Sequence, residues 1–417
     1  MTEVHSKALG ETIQIDRIIG RVDGKKPGPC LFFFGGIHGN EPASVFALHQ
    51  IVQELERKQN NLTGSVIAIS GNLWALERSI RYHKADLNRI WTEDKMEALR
   101  KGEFSPKNED EKQQLEIFKL LQGLLKTETG PFYFFDLHTT SSNSIPFITV
   151  NDSLLNRKFT RQYPVPLILG IEEYLNGPLL SYINELGYVS FGFEGGQHDE
   201  LSSIKNHKAF IYLSLVFSGA LNQDTERYVH FLKQGNDVIP NHRAFYEIYS
   251  RFGLKQNEHF TMKPGFSNFQ SIDRNDNLAT INGEAIQSKE KSIIFMPLYQ
   301  NQGNDGYFLI RKIPTFFLWL SRVLRKYMID RLFVILPGVK WSSELKDTMV
   351  VDLRIAGLIS KQLFHLFGYR SKQIDHSHLL IKNREYRSKK QDYSQENWYK
   401  GLEPTKKKHT ENNTSPQ

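Results

Sequence analysis

Cysteine is almost missing from this chain. A single one, Cys30, stands among 417 residues, so no intramolecular disulfide framework holds the fold, and a reducing, cytoplasmic setting is expected. Cys30 falls inside an apolar run, where a buried structural thiol is expected rather than a reactive one. Long apolar runs are also missing: nothing approaches the ~20 residues of a membrane-crossing helix. Met1 to Gly10 is polar, without the apolar core of a secretion signal. A chain-wide basic surface is lacking too. Residues 313–417 hold 19 Lys and Arg against 10 Asp and Glu, more than the whole chain's +7, so the remainder is slightly acidic and nucleic acid is not an expected partner. What is abundant is core material. With 39% hydrophobic and 12% aromatic residues, a chain of this length can bury two or three domains.

Three short segments carry the chemistry. Cys30-Leu31-Phe32-Phe33-Phe34 reads as a strand closed by Gly35-Gly36, and Pro42 fits the first turn of a helix whose apolar spacing runs from Ala43 to Gln59. His38 and Glu41 therefore sit on a strand-to-helix turn, where an imidazole nitrogen and a carboxylate oxygen can converge on one ion. Pro131 to Phe135 is a second buried strand, with His138 just past its end and Asp136 placed to support a ligating imidazole. Ligands gather outside the carboxyl ends of strands in an open α/β sheet. His38, Glu41 and His138 thus form a candidate three-ligand zinc site with a fourth position left for water. A third strand-like run, Tyr188 to Phe193, delivers Glu194 ahead of Gly195-Gly196 as a candidate general base.

These segments resemble the succinylglutamate desuccinylase/aspartoacylase family, relatives of the zinc carboxypeptidases, over most of residues 28 to 310. The likeness rests on Gly36 to Glu41, on Asp136 to Thr140 and on Glu194. It also rests on Arg81 and on Asp86-Leu87-Asn88-Arg89, which follow the strand-like run Ser65 to Gly71 and Asn72. The resemblance implies zinc on His38, Glu41 and His138, one ion per chain, with Glu194 as base. It also implies that Arg81, Asn88 and Arg89 handle a small acylated substrate. A guanidinium beside the metal can stabilise an oxyanion, a role for Arg81, and a second can hold a substrate carboxylate, a role for Arg89. Tyr299 falls near a substrate-contacting tyrosine of relatives. One departure stands out: relatives carry an arginine shortly before the base, whereas residues 162 to 193 contain none, with Asn184 near the expected place. An acidic N-acyl amino acid is accordingly less secure as substrate. His198 and Asp199, close after Glu194, read as a polar turn, with the shaping of a different pocket as the alternative.

The expected architecture is α/β. Residues 1–245 alternate strand-like runs with helical segments, among them Glu109 to Lys126 and Tyr212 to Gln234, giving a mixed sheet covered by helices, zinc carboxypeptidase-like. Residues 246–312 have short strands and turn signals, the texture of a small β domain, and the resemblance implies a barrel-like module closing over one side of the site. Residues 313–387 form a basic extension. In it, Phe316 to Leu320, Val323, Leu324, Tyr327 and Met328 make an apolar stripe beside Arg322, Arg325 and Lys326. Packing of that stripe on the β domain, or on a second subunit of a homo-oligomer, is favoured over peripheral contact with a membrane. Residues 388–417 read as a disordered tail.

The function expected from all this is deacylation of an N-acyl amino acid or related small amine. Carboxypeptidase-like cleavage of a peptide stays open as an alternative, as does a non-catalytic scaffold working through the basic region.

Overall fold

A computed structural model of the protein describes residues 1–57, 61–222, 228–230, 243–255, 257–355, 364 and 366–401. Strands β1 (Thr2–Ser6) and β2 (Glu11–Ile15) pair with each other. They are followed by β3 (Ile18–Asp23), β4 (Lys26–Gly35), β5 (Thr63–Ser70), β6 (Phe132–Thr140), β7 (Phe147–Val150), β8 (Leu167–Leu169), β9 (Val189–Gln197) and β10 (Phe245–Gly253). Next come β11 (Phe260–Met262), β12 (Ser271–Ile272), β13 (Asn277–Ile281), β14 (Glu284–Gln287), β15 (Ser292–Phe295) and β16 (Asp305–Lys312). One mixed sheet of eleven strands runs β12-β15-β16-β10-β8-β7-β9-β6-β4-β5-β3, with β9, β6, β4 and β5 parallel at its heart.

The central strands carry apolar residues on both faces because both faces are covered, the expected pattern for parallel strands. Leu31, Phe33, Val66, Ala68, Tyr133 and Phe135 face one core with helices Ala43–Glu56 and Leu201–Phe217. Their neighbours Cys30, Phe32, Phe34, Ile67, Ile69, Phe132 and Phe134 face the other, with helices Glu109–Thr127 and Leu179–Leu186. Cys30 is fully buried, and burial pushes its thiol up to about 12, so it is inert as a nucleophile.

Several expectations need correction. β6 and β9 do not stop before their motifs: His138 and Glu194 lie within the strands, directly opposite each other in register. The second helix begins at Leu201 and ends at Phe217, where Ser218-Gly219 turn the chain; the remainder of the Tyr212 to Gln234 segment lies largely outside the described residues. Residues 246–312 do not close into a barrel. β10 pairs in parallel with β8, and β16, β15 and β12 extend the same large sheet, leaving only β11, β13 and β14 as a separate three-stranded sheet.

The basic extension holds a sheet of its own that its composition did not reveal. After helix Thr315–Lys326, strands β17 (Val339–Trp341), β18 (Thr348–Asp352), β19 (Tyr369–Gln373) and β20 (His378–Asn383) form a sheet around Met349, Val351, Phe364 and Ile381. Buried ion pairs join it to the main body. Arg325 and Arg157 converge on Asp152, with 2.7 Å contacts from each guanidinium to Oδ2, and Arg384 reaches Glu172 at 2.9 Å. Arg325 is thus buried rather than solvated. Burial alone would raise Asp152, but the two guanidiniums more than offset it and hold the carboxyl well below its usual range.

Residues 388–401 are not a loose tail, while 402–417 lie outside the described residues. Tyr393 and Trp398 are buried in the main core against Tyr133 and Phe159. The Tyr393 hydroxyl accepts from Val189 N at 2.9 Å and donates to Phe132 O, bridging the starts of β9 and β6. Tyr393→Phe leaves those groups unpaired and is expected to cost about 1–3 kcal/mol, read as a lowered urea midpoint.

Candidate active site

The site forms where β4, β6 and β9 reach their carboxyl ends. After β4 the chain turns through Gly36 and Gly39, and a side chain at Gly39 would collide with the Ala75 backbone at 2.1 Å, so this tight turn requires glycine. The turn presents His38 and Glu41, both buried. His38 Nδ1 lies 2.8 Å from Glu41 Oε1, and His138 Nδ1 lies 3.1 Å from Glu41 Oε2, so the carboxylate is bracketed by two imidazoles. One donor atom from each residue falls within 4.8 Å of the others, close enough to share one ion.

Each imidazole is supported from behind. His38 Nε2 is 3.0 Å from Asp86 Oδ1, and His138 Nε2 is 2.9 Å from Asp136 Oδ2. That second contact lacks hydrogen-bond alignment, and both Asp136 oxygens are buried without a bonded partner. Asn88 Nδ2 is 3.3 Å from the same His138 nitrogen, and Asn88 Oδ1 accepts from Leu179 N. Arg81 lies 3.3 Å from Glu41 and 3.2 Å from Asp86. Arg89 donates to Asn88 O and keeps only a 3.5 Å contact with Asp305.

Charge in this pocket is unbalanced. Glu41, Asp86 and Asp136 share the pocket with Arg81, which contacts the first two, and with Arg89, which also acts on Asp86. Burial would depress His138, but Asp136 and then Glu41 outweigh it and push the imidazole well above its ordinary pKa. Burial would also raise Glu41, yet His38 and His138 hold it well below the usual range. A buried cluster that draws a proton onto a ligand-type imidazole is one a dication can neutralise instead. The donor set, two imidazoles and a carboxylate, suits zinc.

Glu194 faces the same cavity. Burial, opposed by His138 and reinforced by Glu41 and Asp136, pushes its carboxyl up to about 8, and its Oε2 has no partner. In metal-free protein its stabilising contribution is full below its ordinary value of 4.5 and is lost as pH rises through about 8. Glu194→Gln is expected to flatten that portion of a stability-versus-pH curve measured by urea unfolding. Behind it, Gly195 leaves room for His207, whose ring a side chain there would meet at 2.3 Å. His207 Nε2 is 3.1 Å from His138 O and its Nδ1 is 2.7 Å from Ser203 O, while burial brings its pKa down to about 4.

Tyr299 does not join the site. Its hydroxyl donates to Lys263 O and accepts from Phe266 N, on the outer side of the loop between β15 and β16. The next residues reach inward instead. Gln300 accepts from Asn40 Nδ2 at 2.9 Å and contacts His198 Nε2 at 3.2 Å, while Gln302 accepts from Arg81 N and donates to Tyr82 O. His198 also lies 2.7 Å from Thr139 Oγ1, whereas Asp199 is an exposed turn residue paired with Lys7. Asp110 is a further support missed in the sequence. Fully buried, it accepts from Asn72 Nδ2 and from the amides of His83, Lys84 and Ala85, shaping the loop that carries Arg81 and Asp86.

The cavity holds about 140 Å³. Ile171, Leu175, Leu180 and Phe308 form apolar walls, and Met296 to Leu298 with Asn304 and Asp305 cover it. Asn184 lines it too, but its amide is committed to Asn156, Ser190 and Leu180.

Comparison with known proteins agrees with this arrangement. The succinylglutamate desuccinylase/aspartoacylase catalytic domain matches residues 27–201. The chain is 30% identical over 122 residues to a succinylglutamate desuccinylase of Serratia proteamaculans, spanning about a third of that relative (35%) and 28% of itself. It is 25% identical over 270 residues to an N-acyl-aromatic-L-amino acid amidohydrolase (carboxylate-forming) of Xenopus tropicalis, covering 60% of this chain and 83% of that one. A succinylglutamate desuccinylase/aspartoacylase structure from Rhodobacter sphaeroides superposes with a TM-score of 0.52 at 15% identity, over 70% of this chain and 88% of that one, a likeness of fold. His38, Glu41, His138 and Glu194 all lie inside the span, residues 27–201, that is similar to the succinylglutamate desuccinylase/aspartoacylase catalytic domain.

Proposed function

We propose that this protein is a zinc-dependent amidohydrolase that removes the acyl group from a small N-acyl amino acid. The observation that carries the reading is the buried convergence of His38, Glu41 and His138 beside Glu194, whose Oε2 is unpartnered. Those three side chains would hold the ion. When bound, zinc supplies Lewis acidity that polarises the scissile carbonyl and lowers the pKa of water.

The chain's own groups do the rest. Glu194 accepts the proton of the attacking water and returns it to the leaving amine, so the carboxylate is restored after each turnover. Arg81 offers its guanidinium to the oxyanion, and Arg89, loosely engaged by Asp305, has donors to spare for the substrate carboxylate. Asn88 steadies His138 and the Leu179 amide.

Substrate class follows from the walls. No arginine occupies the stretch before the base, Asn184 is internally bonded, and Ile171, Leu175, Leu180 and Phe308 offer apolar contact. An apolar amino-acid side chain fits that lining better than an acidic one. A cavity of about 140 Å³ under the 296–305 loop favours a small substrate over a polypeptide.

A panel of N-acyl amino acids tests this, comparing acylated phenylalanine and leucine with acylated aspartate and glutamate. The apolar substrates are expected to show the higher kcat/KM, and reversal would remove the wall argument. Asp86→Asn is expected to weaken zinc binding by about 10–100-fold in a chelator competition, because it loosens His38. An unchanged affinity would make Asp86 a bystander.

A further inference from the structure

Helix Thr315–Lys326 sits in the fold with its polar side inward. Leu318, Ser321 and Arg325 are buried, while Phe316, Phe317 and Trp319 are 59%, 49% and 51% exposed. At 100° per residue, Phe316, Trp319, Leu320, Val323 and Tyr327 gather on the side opposite Arg325. This orientation is locked. Arg325 is tied to buried Asp152 at 2.7 Å through both its carboxylate and its backbone carbonyl, so rolling the helix to hide its aromatics would break both contacts. The apolar surface continues past the helix through Met328, Leu332 and Ile335, which are also exposed. Scattered exposed apolar residues are ordinary, but a run of this density on one segment marks an interaction surface.

Beside the helix lies a cleft of about 1260 Å³ between the main body and the C-terminal sheet. Arg322 and Lys326 line it from the helix, Arg161 and Lys346 from the two sides, and Met328 and Leu345, both exposed, are at its edge. Among the described residues none of these four cations pairs with a carboxylate, and the helix itself contains no acidic residue. Arg161 instead lies over the Phe245 ring at 5.4 Å, and burial followed by the neighbouring Arg322 lowers its pKa.

We propose that this aromatic helix face and its bordering cations dock the protein on the surface of an anionic phospholipid bilayer. Lipid phosphates would meet Arg322, Lys326, Arg161 and Lys346, and the headgroup boundary would receive Phe316, Phe317 and Trp319. A helix of this length, about 18 Å, lies in the interface plane and does not span it. A second copy of the chain fits less well. In a two-fold interface the same patch meets itself, bringing Arg322 and Lys326 against their own copies with no carboxylate of the helix to offset them.

The full-length protein can be mixed with sucrose-loaded vesicles of phosphatidylcholine alone, or of equimolar phosphatidylcholine and phosphatidylglycerol, and the pelleted fraction measured. Binding to the mixed vesicles is expected to exceed that to phosphatidylcholine by at least about tenfold and to fall as salt rises. Two paired variants, Phe316→Ser with Trp319→Ser and Arg322→Glu with Lys326→Glu, are each expected to lower that binding by at least about tenfold. Their melting temperatures should match the parent's, since all four side chains are at the surface. No binding to the mixed vesicles overturns the proposal, as does equal binding to both lipids or a paired variant that binds like the parent. A dimer broken by Phe316→Ser with Trp319→Ser, in a protein that ignores vesicles, overturns it in favour of a second copy.

Discussion

Glu194→Gln is expected to lower kcat for an N-acyl amino acid by about 10²–10⁴-fold, the range that removal of a positioned general base produces. The amide keeps the shape of the carboxylate but cannot accept a proton, so KM should change far less than kcat. Metal content should stay at the parent's level, because Glu194 is not one of the three converging donors. Loss of activity together with loss of metal would instead make Glu194 a ligand or a structural support. Equal turnover in the two proteins would remove it from the mechanism.

The largest stability effect is expected away from the active site, at Asp152. Its carboxylate is buried between Arg157 and Arg325, one from the main body and one from the outward-facing aromatic helix. Asp152→Ala leaves two guanidiniums side by side, with Glu385 3.5 Å from one of them as the remaining acid. Uncompensated buried charge of this kind costs about 3–5 kcal/mol. The check is a urea unfolding curve whose midpoint falls while its slope is unchanged. A cost below about 1 kcal/mol would mean that water screens the seam, as at an exposed pair.

Much of the central architecture could be read directly. Runs such as Leu31 to Phe34 and Phe132 to Phe135 are apolar on consecutive residues because both faces of the sheet are covered, and that signal is local. The converging donors were legible for the same reason, since an apolar strand run leading to His38 and Glu41, or to His138, ties these residues to a recognisable element. Partners that meet across the fold were not. Asp86 contacts His38 over 48 residues, and β10 joins the large sheet by pairing with β8 across a long connection that leaves no local mark. Tyr299 lies in a loop without strand periodicity, where Gln300 enters the site while its neighbour turns to Lys263 and Phe266.

Two misreadings have a common physical cause, which is that composition averages over residues that act singly. Residues 388–401 are rich in Lys, Gln, Asn and Ser, yet Tyr393 and Trp398 anchor them in the main core. Amphipathicity of Thr315–Lys326 was plain from spacing, but which side faces in was decided by Asp152, far away in the chain. A buried arginine outweighed a stripe of aromatics, because breaking its buried ion pair and hydrogen bond to Asp152 costs more than exposed apolar area.

The central claim is that His38, Glu41 and His138 hold one catalytic zinc. Elemental analysis of the purified full-length protein, alongside His138→Ala, tests it most directly. The account predicts about one zinc per chain in the parent and little in the variant; a parent that binds no transition metal at neutral pH, or a variant that retains the full amount, would contradict it.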